Sequence, residues 1–162
     1  MVSLRFVCVL GSLLAIPTAL AARQDHHSGA ERGEAVMGFD QQLTVHHFLL
    51  FPDGGAIDVS VKDSSDEKNR LAIRSHLPHI ATMFAAGDFA APMLVHDSKN
   101  VPGAGVMAAR KDKIHYEYVE TPGGGRLNIT TVDPQSLTAV HAFLRFQIAD
   151  HKTGDQPTVR KR

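Results

Sequence analysis

Tryptophan is absent from this chain, tyrosine occurs twice, and the only cysteine, Cys8, lies in an apolar stretch near the N-terminus. So sparse an aromatic complement weakens any proposal of carbohydrate stacking. A surplus of charge is also missing: 17 basic side chains face 17 acidic ones. Near-neutral balance gives no electrostatic reason to expect nucleic acid or an anionic membrane surface as a partner. The common catalytic signatures are missing too. There is no Gly-x-Ser-x-Gly, no His-Glu-x-x-His, no P-loop and no Gly-x-Gly-x-x-Gly opening a helix. Without Cys-x-x-Cys-His, covalent c-type haem is excluded, and non-covalent haem on a His or Met ligand is left as a minor option. No general base with an evident partner can be named, so the residues point away from an enzyme. Asn128-Ile129-Thr130 matches a glycosylation sequon but falls within an expected strand.

The N-terminus carries three features in the order that secretion machinery reads. Arg5 supplies the positive region, Phe6 to Ile16 form an apolar run, and Pro17 ends it ahead of the small-x-small pattern Ala19-Leu20-Ala21. The run is shorter than the ~20 residues a membrane-spanning helix needs. Residues 1–21 therefore read as a signal peptide cut after Ala21, with no membrane span left after cleavage. Cys8 is lost with it, leaving no disulfide, thiolate ligand or thiol nucleophile. Residues 22–36 are polar and aperiodic and read as a flexible leader. Residues 37–155 read as a single domain and residues 156–162 as a short basic tail.

Within the domain, Leu43 to Phe51 and Ala56 to Lys62 read as strands about the turn Pro52-Asp53-Gly54-Gly55. Ser64-Ser65-Asp66-Glu67 offers N-capping chemistry, and Leu71, Ile73, Leu77, Ile80 and Phe84 continue at helical spacing to Gly87, with Pro78 expected to kink or divide the helix. A second hairpin is expected over Lys113 to Glu120 and Arg126 to Val132, turning at Gly123 to Gly125. Asp133-Pro134 then starts a second helix through Leu137, Val140, Leu144 and Ile148. The fold class is α+β: two hairpin-helix (ββα) units, forming an antiparallel sheet with the helices packed on one face. Between the halves, residues 88–112 form an excursion that is long for a compact domain and a place to look for function. The competing reading is an edge strand over Pro92 to His96 followed by a surface loop.

Histidine, at ten residues, is the unusual component. His76, His79 and Met83 fall at i, i+3 and i+7 along one edge of the first helix, so two imidazoles and a thioether could meet one ion. Imidazole suits zinc or copper, and a thioether tilts the choice toward copper. His46 and His47 must face opposite sides of their strand. A three-residue turn with a glycine bulge turns His47 to the helices, whereas a two-residue turn turns in His46, Phe48 and Leu50. Met93 and His96 in the excursion are further candidates. The expected ligand set is His47, His76, His79, Met83, Met93 and His96. His141, beside Val140 and Leu144, reads as packed rather than ligating. His115 with Glu117 shares the open face, and His26-His27 lies in the leader.

The strings Met37-Gly38-Phe39, His46-His47-Phe48, Asp53-Gly54-Gly55, His76-Leu77-Pro78-His79-Ile80-Ala81, Pro92-Met93 with His96-Asp97, and Phe143-Leu144-Arg145-Phe146-Gln147-Ile148 together resemble a group of small exported bacterial proteins of unknown function. The likeness spans about residues 37–155. It implies a bacterial source and a periplasmic or secreted address, and carries over no catalytic residue. Two functions remain in view: a copper- or zinc-binding protein using a His/Met cluster, and a non-catalytic domain that binds a small ligand or a protein and whose histidines are structural.

Overall fold

Residues 37–161 are described by a computed structural model; the expected signal peptide and leader lie outside them. Two hairpins build one four-stranded antiparallel sheet. Strands β1 (Thr44–Phe51) and β2 (Gly54–Val61) join through Pro52 and Asp53, and β3 (His115–Thr121) and β4 (Gly124–Thr130) through Pro122 and Gly123. The strand order is β1-β2-β4-β3, so the later strand of each hairpin is central. The two-residue link pairs Phe51 with Gly54, Phe48 with Ile57 and His46 with Val59. Period-two alternation then places Thr44, His46, Phe48 and Leu50 on the helix-covered face and His47 on the other.

Helix α1 (Glu67–Ala86) begins at Asp66, whose carboxylate accepts the Asn69 N–H at 3.1 Å, and ends at Gly87 in the left-handed region, φ 82°. It runs through Pro78 as one element, where the missing proline N–H costs one ladder bond rather than the helix. Ile73, Leu77, Ile80 and Phe84 are buried against the sheet. The excursion is neither a strand nor a bare loop. Two short helices, α2 (Ala90–Val95) and α3 (Ala104–Ala109), precede a 3₁₀ turn at Lys111–Lys113. Asp88 accepts the Ala90 N–H at 2.8 Å, and Phe89, Ala91, Val101, Ala104 and Met107 all enter the core. Helix α4 (Pro134–His151) starts as expected, with proline at the first turn and Asp133 accepting the Ser136 N–H at 2.8 Å.

Both long helices cover one face of the sheet, but they cross over. Helix α1 packs chiefly on β3 and β4, and α4 on β1 and β2. The hairpin-helix repeat visible in chain order thus does not fold as two self-contained ββα units, because each helix covers the other hairpin. Glycine makes both contacts close. A Cβ on Gly55 would stand 2.2 Å from Leu144 Cδ1, and one on Gly125 would stand 3.0 Å from Leu77 Cδ1. The basic tail is placed along the outer edge of β1: Arg160 N–H donates to Leu50 O at 3.0 Å, and Arg145 Nε donates to Pro157 O at 2.9 Å. It covers an edge that would otherwise present unpaired backbone groups. No helix among the described residues is long and apolar enough to cross a membrane.

Candidate functional site: an imidazole-lined cavity

Where α1, α2 and the C-terminal turn of α4 converge over β1 and β2, they border a partly open cavity of about 80 Å³. Its walls are apolar, formed in large part by Phe48, Ile57, Val59, Leu77, Ile80 and Phe84. Four imidazoles line it: His46 from β1, His76 from α1, His96 at the end of α2 and His151 at the end of α4. The rings are linked by aromatic contacts. His46 stacks on His151 at 5.7 Å between centroids, His151 meets His96 edge-on at 5.0 Å, and Phe39 bridges His46 to His76 at 5.8 Å on each side. The space is well below the ~300 Å³ at which pockets for drug-sized ligands begin, and a haem does not fit it.

Burial sets the charge of these rings. Burial first, and neighbouring imidazoles after it, push His46, His76 and His151 down to about 4: His151, His47 and His76 act on His46, His79 acts on His76, and His96 acts on His151, where Asp150 opposes the shift. All three are neutral at pH 7, with nitrogen lone pairs open to a ligand. The Nε2 of His46 is buried and makes no hydrogen bond within the described residues. Such an atom in an apolar wall calls for a partner.

His96 is the most constrained of the four. Its side chain is 2% exposed, its Nδ1 donates to Asp150 Oδ2 at 2.6 Å, and its Nε2 lies 2.9 Å from Gln147 Oε1. With His151 beside them, His96 and Asp150 form a group in which one donor atom from each residue lies within 4.8 Å of the others, close enough to hold one metal ion. Two nitrogens and one carboxylate oxygen suit a borderline divalent ion and leave coordination positions open. The position of α4 brings this about. Gln147, Asp150 and His151 fall on consecutive turns, opposite the end of α2.

Of the six expected ligands, His76 and His96 line the cavity, and only His96 belongs to the group of three donors. His47 sits on the other face of the sheet, half exposed, with Nδ1 3.0 Å from Asp155 Oδ1; the two-residue turn sets that register, and His46 takes the inward place. His79 is exposed, one helical step away from the cavity wall. Met83 and Met93 pack against the core without lining the cavity, whereas Met37 lines it. His141 is packed, its Nε2 lying 2.9 Å from Phe51 O and 3.0 Å from Gly54 O, where it fastens the first hairpin turn. Asp150 and His151 were missed. For His151 a signal was available: Val140, Leu144, Gln147 and His151 continue one helical stripe at steps of four, three and four; Asp150 lies off that stripe.

Comparison with known proteins adds no relative: no protein-family model matches the chain, and neither does any curated protein or solved structure.

Proposed function

We propose that this is an exported metal-binding protein that holds one zinc or copper(II) ion on His96, Asp150 and His151. The observation that carries the reading is the convergence of those three donors at the rim of a largely apolar cavity. The pattern of Arg5, the apolar run and Ala19-Leu20-Ala21 supports export to a periplasmic or extracellular setting. Met83 and Met93 do not line the cavity, and an N,N,O donor set favours zinc over soft Cu(I). Donor atoms on one tetrahedral zinc at ~2.0–2.1 Å stand ~3.3 Å apart, so a modest opening of the 2.6 Å His96–Asp150 contact would let the ion replace the bridging proton.

The test is elemental analysis of the chain from residue 22 onward, purified without chelator, with thermal melts before and after adding zinc or copper. Near-stoichiometric metal and a raised melting point, both lost in His96→Ala and in His151→Ala, support the site. A melt indifferent to both ions refutes it. The second reading, a small-ligand domain with structural histidines, has its own support: Asp150 and Gln147 already occupy both nitrogens of His96.

A further inference from the structure

The geometry points to a short-chain monocarboxylate as the molecule that completes this site: its carboxylate on the metal, its alkyl chain in the cavity. The inference rests on the metal reading above and follows from charge, polarity and volume taken together.

Charge comes first. A divalent ion on two neutral imidazoles and the Asp150 carboxylate carries a residual single positive charge. On the cavity side no acidic side chain of the described residues is present to offset it: apart from His96 itself, the polar groups lining the cavity are His46, His76, Gln147 and His151, none of them a carboxylate. An uncompensated charge against an apolar wall is costly, and one anionic donor removes it. A dianion would overshoot, and an amine would add to the imbalance. The buried Nε2 of His46, with no partner of its own among the described residues, belongs to the same wall and can donate to a carboxylate oxygen in one tautomer.

Polarity and volume then define the rest of the molecule. The donors stand at the rim: His96 and His151 line the cavity and Asp150 does not. Behind them the walls are chiefly Phe48, Ile57, Val59, Leu77, Ile80 and Phe84, with His46, His76 and Gln147 the only polar side chains of the described residues besides the donors, so most of the tail meets apolar surface. The cavity's 80 Å³ is about half of the ~150 Å³ that accommodates benzene in a dry protein cavity. A chain of about three or four carbons matches that space, each buried methylene adding to the affinity. A longer chain would have to leave the cavity or force its walls apart.

The experiment uses the chain from residue 22 loaded with cobalt(II), whose visible absorption reports a change of ligand, and titrates it with sodium butyrate, n-butanol, butylamine and sodium octanoate. Butyrate is expected to shift the cobalt bands and to bind at least tenfold more tightly than the other three. The metal-free protein should bind it at least tenfold more weakly. Ala91→Leu adds three carbons to the cavity wall from α2 without touching a metal donor, so it should keep cobalt uptake and lose the butyrate response. If cobalt binds but butyrate leaves its bands unchanged, or if butanol or octanoate binds as tightly, the carboxylate inference is overturned and the metal site stands. Failure to take up cobalt overturns both. An unaltered butyrate response in cobalt-loaded Ala91→Leu shows that the chain does not enter the cavity, and overturns the assignment.

Discussion

Arg110 and Asp133 are joined by two parallel contacts, Nε to Oδ2 at 2.9 Å and Nη2 to Oδ1 at 2.6 Å, while the same Asp133 carboxylate caps the first turn of α4. One side chain thus starts the helix that carries Asp150 and His151 and fastens the end of the 88–112 excursion to it. The guanidinium bond, with the Ser136 N–H, holds the Asp133 carboxyl well below the usual carboxylate range. Asp133→Ala removes both functions and should lower the melting temperature by several degrees, more than Arg110→Ala, which leaves the cap in place. Parallel thermal melts of the two variants check the order.

Gly55 and Gly125 mark the two closest helix-to-sheet approaches, but their surroundings differ. An added methyl at Gly55 meets Leu49 O at 2.3 Å as well as Leu144 Cδ1, whereas at Gly125 it meets only the side chains of Tyr118 and Leu77 among its nearest neighbours. Side chains can give way and a backbone carbonyl within a ladder cannot. Gly125→Ala should cost about 1–3 kcal/mol, the usual range for overpacking, and Gly55→Ala more. Urea denaturation of both variants would show the contrast, and equal costs would contradict it.

Stability of the metal-free protein should fall as pH drops from about 6.5 toward 4. His46, His76 and His151 titrate near 4 when folded and near 6.5 when unfolded. Between those values the unfolded chain binds more protons, so acid favours it. The contribution is intact above the unfolded value and is lost as pH falls to the folded one. For His46, the most deeply buried, the effect is on the order of a few kcal/mol. Melts at pH 7.5, 5.5 and 4.5 should decline steadily, and His46→Phe should flatten the slope. A melt that rises on acidification would show that these rings are charged in the folded state.

His47→Ala and His79→Ala should leave metal uptake unchanged, whereas His96→Ala and His151→Ala should abolish it. A loss of metal in the first pair would return the site to the sequence-derived set. Elemental analysis of the four variants decides between the two.

Both hairpins, both long helices and their caps were legible because each rests on local chemistry: Asp66 and Asp133 as caps, Gly87 as a stop, and alternating or helical apolar spacing. What escaped depends on distant contacts. A one-residue difference in the turn decides whether His46 or His47 faces inward, and such a slip exchanges the faces of the whole strand. Helices of six residues, such as α2 and α3, are too short to be stable alone and owe their form to the core they touch. Neither carries a strong local signal. The meeting of His96 with Asp150, 54 positions apart in the chain, has no local signature at all.

The crossed placement of the long helices bears on how the molecule could be divided. A cut in the chain between α1 and β3 would leave each fragment holding a hairpin without its covering helix and a helix without its sheet, so neither fragment could bury its apolar face alone. Each would carry what the other lacks. Mixed together, the halves should therefore reassemble as a two-part complex, in which the cavity, with His46 and His76 from one piece and His151 from the other, exists only in the joined form.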